Sequence, residues 1–92
     1  MFDRKIMKRK IRSNPEYIDI FYEITLHESF DAQKIVISNE YQAHEAAERM
    51  RYFFKRQGIK VDVYLFKVTR HYTLNEHEEL EDETYQVEEV EF

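Results

Sequence analysis

The amino-acid sequence predicts an α+β fold, in which one helix packs on one face of an antiparallel sheet of three or four strands. Residues 17–27 alternate apolar and polar side chains, residues 58–74 are rich in β-branched and aromatic residues, and residues 40–57 repeat apolar residues at helical spacing. The 92 residues are enough for one modest core. The predicted order is therefore β-β-α-β, with a possible extra strand near the C-terminal end.

The first predicted strand runs from Tyr17 to His27. The Asn14-Pro15 pair before it marks a boundary, since the residue before a proline is kept away from the helical region. Residues 28–33 read as a turn and residues 34–37 as a second, shorter strand that returns beside the first. One face of the first strand carries Ile18, Ile20, Tyr22, Ile24 and Leu26.

Residues 40–57 are predicted to form the helix. Asn39 can cap its first turn, and Gln42 stands at capping-box spacing from Asn39. Gly58 supplies the left-handed residue that ends the helix. The apolar stripe that should face the sheet consists of Ala43, Ala46, Ala47, Met50, Phe53 and Phe54.

The stretch from Gly58 to Leu74 is predicted to be the central strand, and both of its faces are apolar. If it pairs with the first strand, the order is 2-1-3 and all neighbours are antiparallel; if it pairs with the second, the crossover makes that pair parallel. We favour the first arrangement, because the two longest strands then lie side by side. One face is formed by Ile59, Val61, Val63 and Leu65, and the other by Tyr64, Phe66, Val68 and Tyr72.

Charge divides the chain into three segments: a basic arm (1–13), the ββαβ core (14–75) and an acidic tail or edge strand (76–92). Residues 1–12 carry six basic residues and one acidic residue, a net charge of +5. Residues 76–92 carry nine acidic residues and no basic one, a net charge of −9. Such asymmetry indicates charged partners, or ends that neutralise each other in the fold.

The sequence offers no catalytic site. The single glycine, Gly58, cannot build a phosphate-binding loop, and no serine lies in a nucleophile-elbow pattern. There is no cysteine. The four histidines lack metal-ligand spacing, and exposed glutamates stay ionised. We therefore expect a non-enzymatic protein with no catalytic residue, metal or cofactor, and, since no signal peptide or membrane-spanning run is present, a cytoplasmic one.

The second face of the sheet indicates association. Left bare, it would expose more contiguous apolar area than soluble monomers usually do. The basic arm, the acidic tail, a second copy or a partner must cover it, and a homodimer is the economical solution for so small a chain. The predicted interface consists of Tyr17, Phe21, Tyr64, Phe66 and Val68.

Two charged segments indicate partners. The acidic one would attract a basic, nucleic-acid-binding protein by presenting a nucleic-acid-like surface. Its residues are Glu76, Glu78, Glu79, Glu81, Asp82, Glu83, Glu88, Glu89 and Glu91. The alternative is a nucleic-acid-binding accessory protein, and a protease or chaperone adaptor is a third possibility. The alternative would use Arg4, Lys5, Lys8, Arg9, Lys10 and Arg12.

The organisation of residues 17–74 resembles that of small bacteriophage-encoded accessory proteins, including early host-takeover proteins. The likeness lies in the alternating strand, the hairpin, the alanine-rich helix EYQAHEAAERM and the long strand ending KVTRHYTL. It implies a stoichiometric inhibitor that occupies a surface of a host protein, often one that handles DNA, in the host cytoplasm. The resemblance carries no site residues.

Overall fold

The computed structural model describes residues 15–28 and 31–92 and confirms the predicted α+β fold. An antiparallel sheet has the strand order β2-β1-β3-β4, so the predicted 2-1-3 arrangement is present and the possible extra strand lies beside β3. The elements are β1 (Glu16–Glu28), β2 (Asp31–Ile37), α1 (Glu40–Gln57), β3 (Asp62–Leu74) and β4 (Leu80–Val90).

The β1–β2 hairpin is longer than predicted. Tyr22 lies opposite Ile37, and the pairing continues without a break until Glu28 lies opposite Asp31. The side chain of Asp31 accepts a hydrogen bond from the Ala32 amide at 2.9 Å. Strand β2 therefore begins three residues before the predicted start, because pairing with β1 overrides the weak strand preference of these residues.

Helix α1 has the predicted bounds. The Asn39 side chain accepts a hydrogen bond from the Gln42 amide at 2.9 Å, which caps the first turn. At the other end, Gly58 is left-handed with φ 70°, and the Ile59 amide donates to the Phe54 carbonyl oxygen at 2.9 Å. In the described part of the chain, no helix is both long and apolar enough to cross a membrane.

The central strand starts later than predicted, at Asp62 instead of Gly58. The amides of Gly58 and Ile59 donate to carbonyl oxygens of the last helical turn, and the Val61 amide donates to the Ile59 carbonyl oxygen at 3.1 Å. These donors are therefore used in the helix cap and the following turn instead of in the sheet. Ile59 is 47% exposed as a result, where the alternation predicted a covered side chain.

Contacts divide the described residues into two compact units. We call the first the hairpin unit, after the β3–β4 hairpin; it comprises residues 15–19 and Arg70–Tyr85. We call the second the helix unit; it comprises Ile20–Thr69, without residues 29 and 30, and Gln86–Phe92. The core lies in the helix unit, where the small side chains of Ala43 and Ala47 let α1 approach the sheet closely. Its buried members are Tyr22, Ile24, Ala43, Ala47, Val63 and Leu65.

One predicted core residue, Phe53, is 54% exposed. At 100° per residue, Phe54 falls on the same stripe as the two buried alanines, whereas Phe53 falls on the flank of that stripe. Phe54 packs against the core. The Phe53 ring contacts the Phe54 ring edge-on, with 5.7 Å between the ring centroids. The apolar stripe of α1 is therefore narrower than predicted.

Tyr22 is the one core side chain that titrates. Burial is the main cause that raises the pKa of its hydroxyl above the ordinary value, and the negative charge of Glu40, a hydrogen bond with Glu40 and the charge of Glu88 raise it further. The fold thus holds Tyr22 in its neutral form.

This raised pKa predicts a loss of stability in alkali. Above about pH 10 the unfolded chain releases the Tyr22 proton while the folded chain keeps it, so the free energy of unfolding falls as pH rises toward the folded-state pKa. Tyr22→Phe removes this loss. We therefore expect the variant to gain stability relative to the original chain between about pH 8 and about pH 11, as measured by urea unfolding.

Tyr41→Phe, at a 73% exposed position, is the matched control. A pH-dependent gain of the same size in both variants would contradict the assignment of the effect to Tyr22.

Candidate interaction site

The turn between β3 and β4 is organised by one side chain, that of Asn75. Its carbonyl oxygen accepts hydrogen bonds from the amides of His77 at 2.8 Å and Glu79 at 3.0 Å, and its amide nitrogen donates to Oε1 of Glu79 at 3.1 Å. Glu78 adopts the left-handed conformation, with φ 61°. The side chain of Glu76 is 86% exposed. Asn75 thus fixes a turn that presents carboxylates to solvent.

Strand β4 continues this acidic surface along the edge of the sheet. It lies beside β3, and within residues 15–28 and 31–92 no strand lies on its other side. All of its residues except Val90 are exposed. An edge strand presents unpaired backbone N–H and C=O groups, which are the groups that pair with an added strand.

An open groove of about 620 Å³ lies in the hairpin unit beside this turn. Its lining includes the carboxylate residues Glu76, Glu78 and Glu81. Tyr17 and Leu74 contribute apolar groups to the same lining. This composition suits a lysine or arginine side chain, which combines an apolar stem with a cationic end. The groove is lined by Pro15, Tyr17, Leu74, Asn75, Glu76, His77, Glu78 and Glu81.

Glu83 differs from the other predicted partner-binding carboxylates because the fold already uses it. Arg70 Nε donates to Oε2 of Glu83, and Arg70 Nη1 donates to Oδ2 of Asp19 at 3.4 Å. The bond to Glu83 is the main cause that raises the pKa of Arg70 above its ordinary value. The Arg70 guanidinium also lies 4.1 Å from the ring centroid of Tyr72, and Tyr72 stacks on Tyr17 at 5.2 Å. Glu83 therefore helps to hold the hairpin unit together.

Asp82 is exposed on the part of β4 that belongs to the hairpin unit. The other three predicted acidic residues, Glu88, Glu89 and Glu91, belong to the helix unit and are all exposed. Glu88 is close enough to raise the pKa of Tyr22 by its negative charge. Val90 packs against the core, so the neighbouring carboxylates are held at defined positions along β4.

The open face of the sheet, opposite α1, carries most of the predicted dimer interface. In the helix unit, Tyr64 and Phe66 bring their ring centroids to 6.3 Å, and Tyr64 is 38% exposed. Phe21 is partly buried and Val68 is only 3% exposed. Tyr17, by contrast, belongs to the hairpin unit. The predicted set is therefore not one uniformly exposed patch.

The predicted nucleic-acid-binding residues, Arg4, Lys5, Lys8, Arg9, Lys10 and Arg12, lie outside the described residues. Among residues 15–28 and 31–92, no group of three or more histidine, aspartate or glutamate side chains could hold a metal ion.

Sequence reasoning missed a second charged surface, which lies in the helix unit where α1 ends and β3 begins. We call this groove of about 590 Å³ the cationic groove. Its cations are separated in the sequence by the helix cap, and the only local signal is the i, i+4 spacing of Arg51 and Lys55. It is lined by Arg51, Lys55, Ile59, Lys60, Val61, Asp62, Val63 and Tyr64.

Comparisons with protein-family models, with curated proteins and with solved structures find no match to this chain.

The contacts of Arg70 predict that it stabilises the hairpin unit. Arg70→Met keeps an unbranched, flexible side chain, although a shorter one, and leaves Glu83 and Asp19 without their cation, so we expect the thermal unfolding midpoint to fall by a few degrees, as followed by circular dichroism. Added salt should weaken the original ion pairs and reduce the difference.

Arg49→Met is the matched control, because the Arg49 side chain is 78% exposed and forms an i, i+4 pair with Glu45 on α1. Equal shifts in the two variants would contradict a special role for Arg70.

Proposed function

We propose that this chain is a non-enzymatic interaction protein that binds a basic surface of another protein through the β3–β4 turn and the edge strand β4. One observation carries the proposal: β4, a strand of mostly exposed residues with no further strand beside it among residues 15–28 and 31–92, holds five carboxylates and no cation. Arg70 pairs with one of the five, Glu83. The turn before it adds the exposed carboxylates of Glu76, Glu78 and Glu79.

The chemistry of this surface supports a basic polypeptide as the partner. A partner strand that adds to the edge of β4 gains backbone hydrogen bonds, and its lysine or arginine side chains meet carboxylates on both sides. Exposed apolar side chains, such as Leu80 at 51% and Tyr85 at 54%, offer contact area between the charges. Long-range attraction between opposite charges also speeds the encounter.

Proteins that bind nucleic acids are the class that carries such basic surfaces. An acidic ligand on that surface competes with the phosphate backbone for the same cations. We infer that such competition would inhibit a nucleic-acid-binding protein, which is the role that the resemblance to phage accessory proteins implies.

Replacing carboxylates of the turn and the edge with neutral amides tests the proposal. In the triple variant Glu76→Gln, Glu78→Gln and Asp82→Asn, we expect binding to a lysine- and arginine-rich peptide of strand-forming sequence to weaken roughly tenfold, because each exposed charge pair contributes roughly 0.2–1 kcal/mol. Fluorescence anisotropy at low and at near-physiological salt measures the affinity. Binding to the original chain should weaken as salt rises.

The control variant makes the same change in net charge elsewhere, with Glu23→Gln, Glu28→Gln and Glu48→Gln. If both triple variants lose affinity equally, net charge and not the turn and edge accounts for binding.

A gel-shift titration with duplex DNA at two salt concentrations tests the alternative function, nucleic-acid binding by the basic arm. Direct, steeply salt-dependent DNA binding would favour the basic arm and contradict the acidic-surface proposal.

A homodimer through the open face is a second proposal, and the exposed apolar residues of that face in the helix unit support it. Val36 is 62% exposed, Val87 is 61% exposed and Tyr64 is 38% exposed. All three lie on the side away from α1, because Ile35 and Val63 are one residue and Val90 three residues from them along the same strands, and these odd-spaced residues pack in or against the core.

The double variant Val36→Thr and Val87→Thr keeps the β-branched shape and adds two hydroxyl groups, so we expect it to weaken dimerisation by about tenfold. Sedimentation equilibrium over a range of concentrations measures the dimer constant. Tyr41→Ser removes exposed apolar area from α1 and serves as the control. A chain that stays monomeric at high concentration would refute the dimer.

A further inference from the structure

The cationic groove is built where the helix cap turns the chain into β3. Lys55 lies in the last turn of α1, Lys60 lies in the connection and Val63 begins the buried part of β3. Because Gly58 is left-handed and the amides of Gly58 and Ile59 donate to the helix end, the connection is fixed by backbone hydrogen bonds. The groove is therefore shaped by ordered backbone.

The groove has an excess of positive charge in a chain whose net charge is −5. Arg51, Lys55 and Lys60 line it against one carboxylate, that of Asp62. A smaller groove of about 310 Å³ shares Arg51 and Lys55 and adds the ring of Tyr52. The cations thus form a local patch of a sign opposite to that of the whole chain.

Arg51 is held in place within this patch. Its Nη2 donates to the Val63 carbonyl oxygen at 2.8 Å, and its Nη1 donates to the backbone oxygen of Phe92 at 2.7 Å. The guanidinium also lies 3.6 Å from the centroid of the Phe92 ring. A guanidinium has five N–H donors, and two carbonyl bonds leave further donors for an acceptor from outside. Arg51 therefore offers a positioned cation to a carboxylate.

Apolar side chains lie exposed between the cations. Ile59 is 47% exposed, Tyr64 is 38% exposed, and Tyr52 beside the smaller groove is 61% exposed. Tyrosine and arginine are the residues most enriched where protein partners bind tightly, since they combine apolar area with hydrogen-bonding groups. The patch can thus hold apolar as well as charged groups of a ligand.

The charge pattern favours an acidic peptide over a nucleic acid. Duplex DNA carries about one charge per 1.7 Å of axis, so it needs a long cationic track, and protein surfaces that bind it are strongly basic. Here three cations surround apolar groups, and carboxylates from Asp62 and Glu48 line the two grooves. A segment with a few carboxylates and an apolar residue matches this mixture better.

We propose that the cationic groove is a second docking surface, which takes an acidic segment of a partner protein. The carboxylates of that segment bind Arg51, Lys55 and Lys60, and an apolar side chain packs on Ile59 and Tyr64. This surface consists of other residues than the acidic turn and edge and selects a ligand of the opposite charge, so the chain can bind an acidic as well as a basic polypeptide.

A labelled peptide of alternating glutamate and leucine tests this proposal, with the glutamine version of the same peptide as a control for charge. The double variant Lys55→Gln and Lys60→Gln removes two cations of the groove and leaves Arg51, which also holds Phe92, intact. We expect the variant to bind the acidic peptide about tenfold more weakly than the original chain does. The variant Lys34→Gln and Arg49→Gln makes the same charge change elsewhere and should bind within about twofold of the original chain.

Binding results of three kinds would overturn the proposal: no binding of the acidic peptide to the original chain, an equal loss in both variants, or tighter lysine-dependent binding of single-stranded DNA, which would identify a nucleic-acid surface. Self-association of the original chain that disappears in Lys55→Gln with Lys60→Gln would also overturn it, because a second copy would then be the occupant. Binding of the basic peptide serves as an independent readout, and it should remain unchanged in both of these variants.

Discussion

The fold depends on the close approach of α1 to one face of the sheet. Ala43 and Ala47 are fully buried, and their small side chains let Ile24 and Leu65 of the neighbouring strands β1 and β3 fill the space beneath the helix. One helix, however, can cover only one face of a sheet. Within the described part of the chain, the opposite face, the edge of β4 and the flank of α1 are therefore left with exposed apolar or charged groups.

The sequence predicted the parts of the fold that depend on local signals. The alternation of β1, the cap at Asn39 and the left-handed Gly58 set the first strand and both ends of α1, and pairing of the two longest strands determined the order of the sheet. The starts of β2 and β3 could not be predicted in this way. The first depends on pairing with β1, and the second depends on the Ile59 amide, which donates to the helix end instead of to the sheet.

The candidate site shows the same division between local and long-range information. The acidic segment is plain in the sequence, but only the structure shows that Glu83 is bonded to Arg70 while Glu76 projects into solvent. The cationic groove could not be predicted, because the chain reverses direction between Lys55 and Lys60 and no periodicity connects them. Contacts between residues that are distant in the sequence decide which charges face a partner.

The carboxylates of β4 determine both what the edge rejects and what it accepts. A free strand edge pairs readily with any extended chain, including another copy of itself, and charged side chains are the usual protection. When two β4 edges approach, carboxylates such as those of Asp82 and Glu89 meet others of the same sign and oppose the contact, whereas a basic strand meets only opposite charges. Repulsion between copies and attraction to a basic partner therefore come from the same residues. Replacing these carboxylates with neutral side chains would weaken selection for a basic partner and, at the same time, remove a barrier to edge-to-edge aggregation.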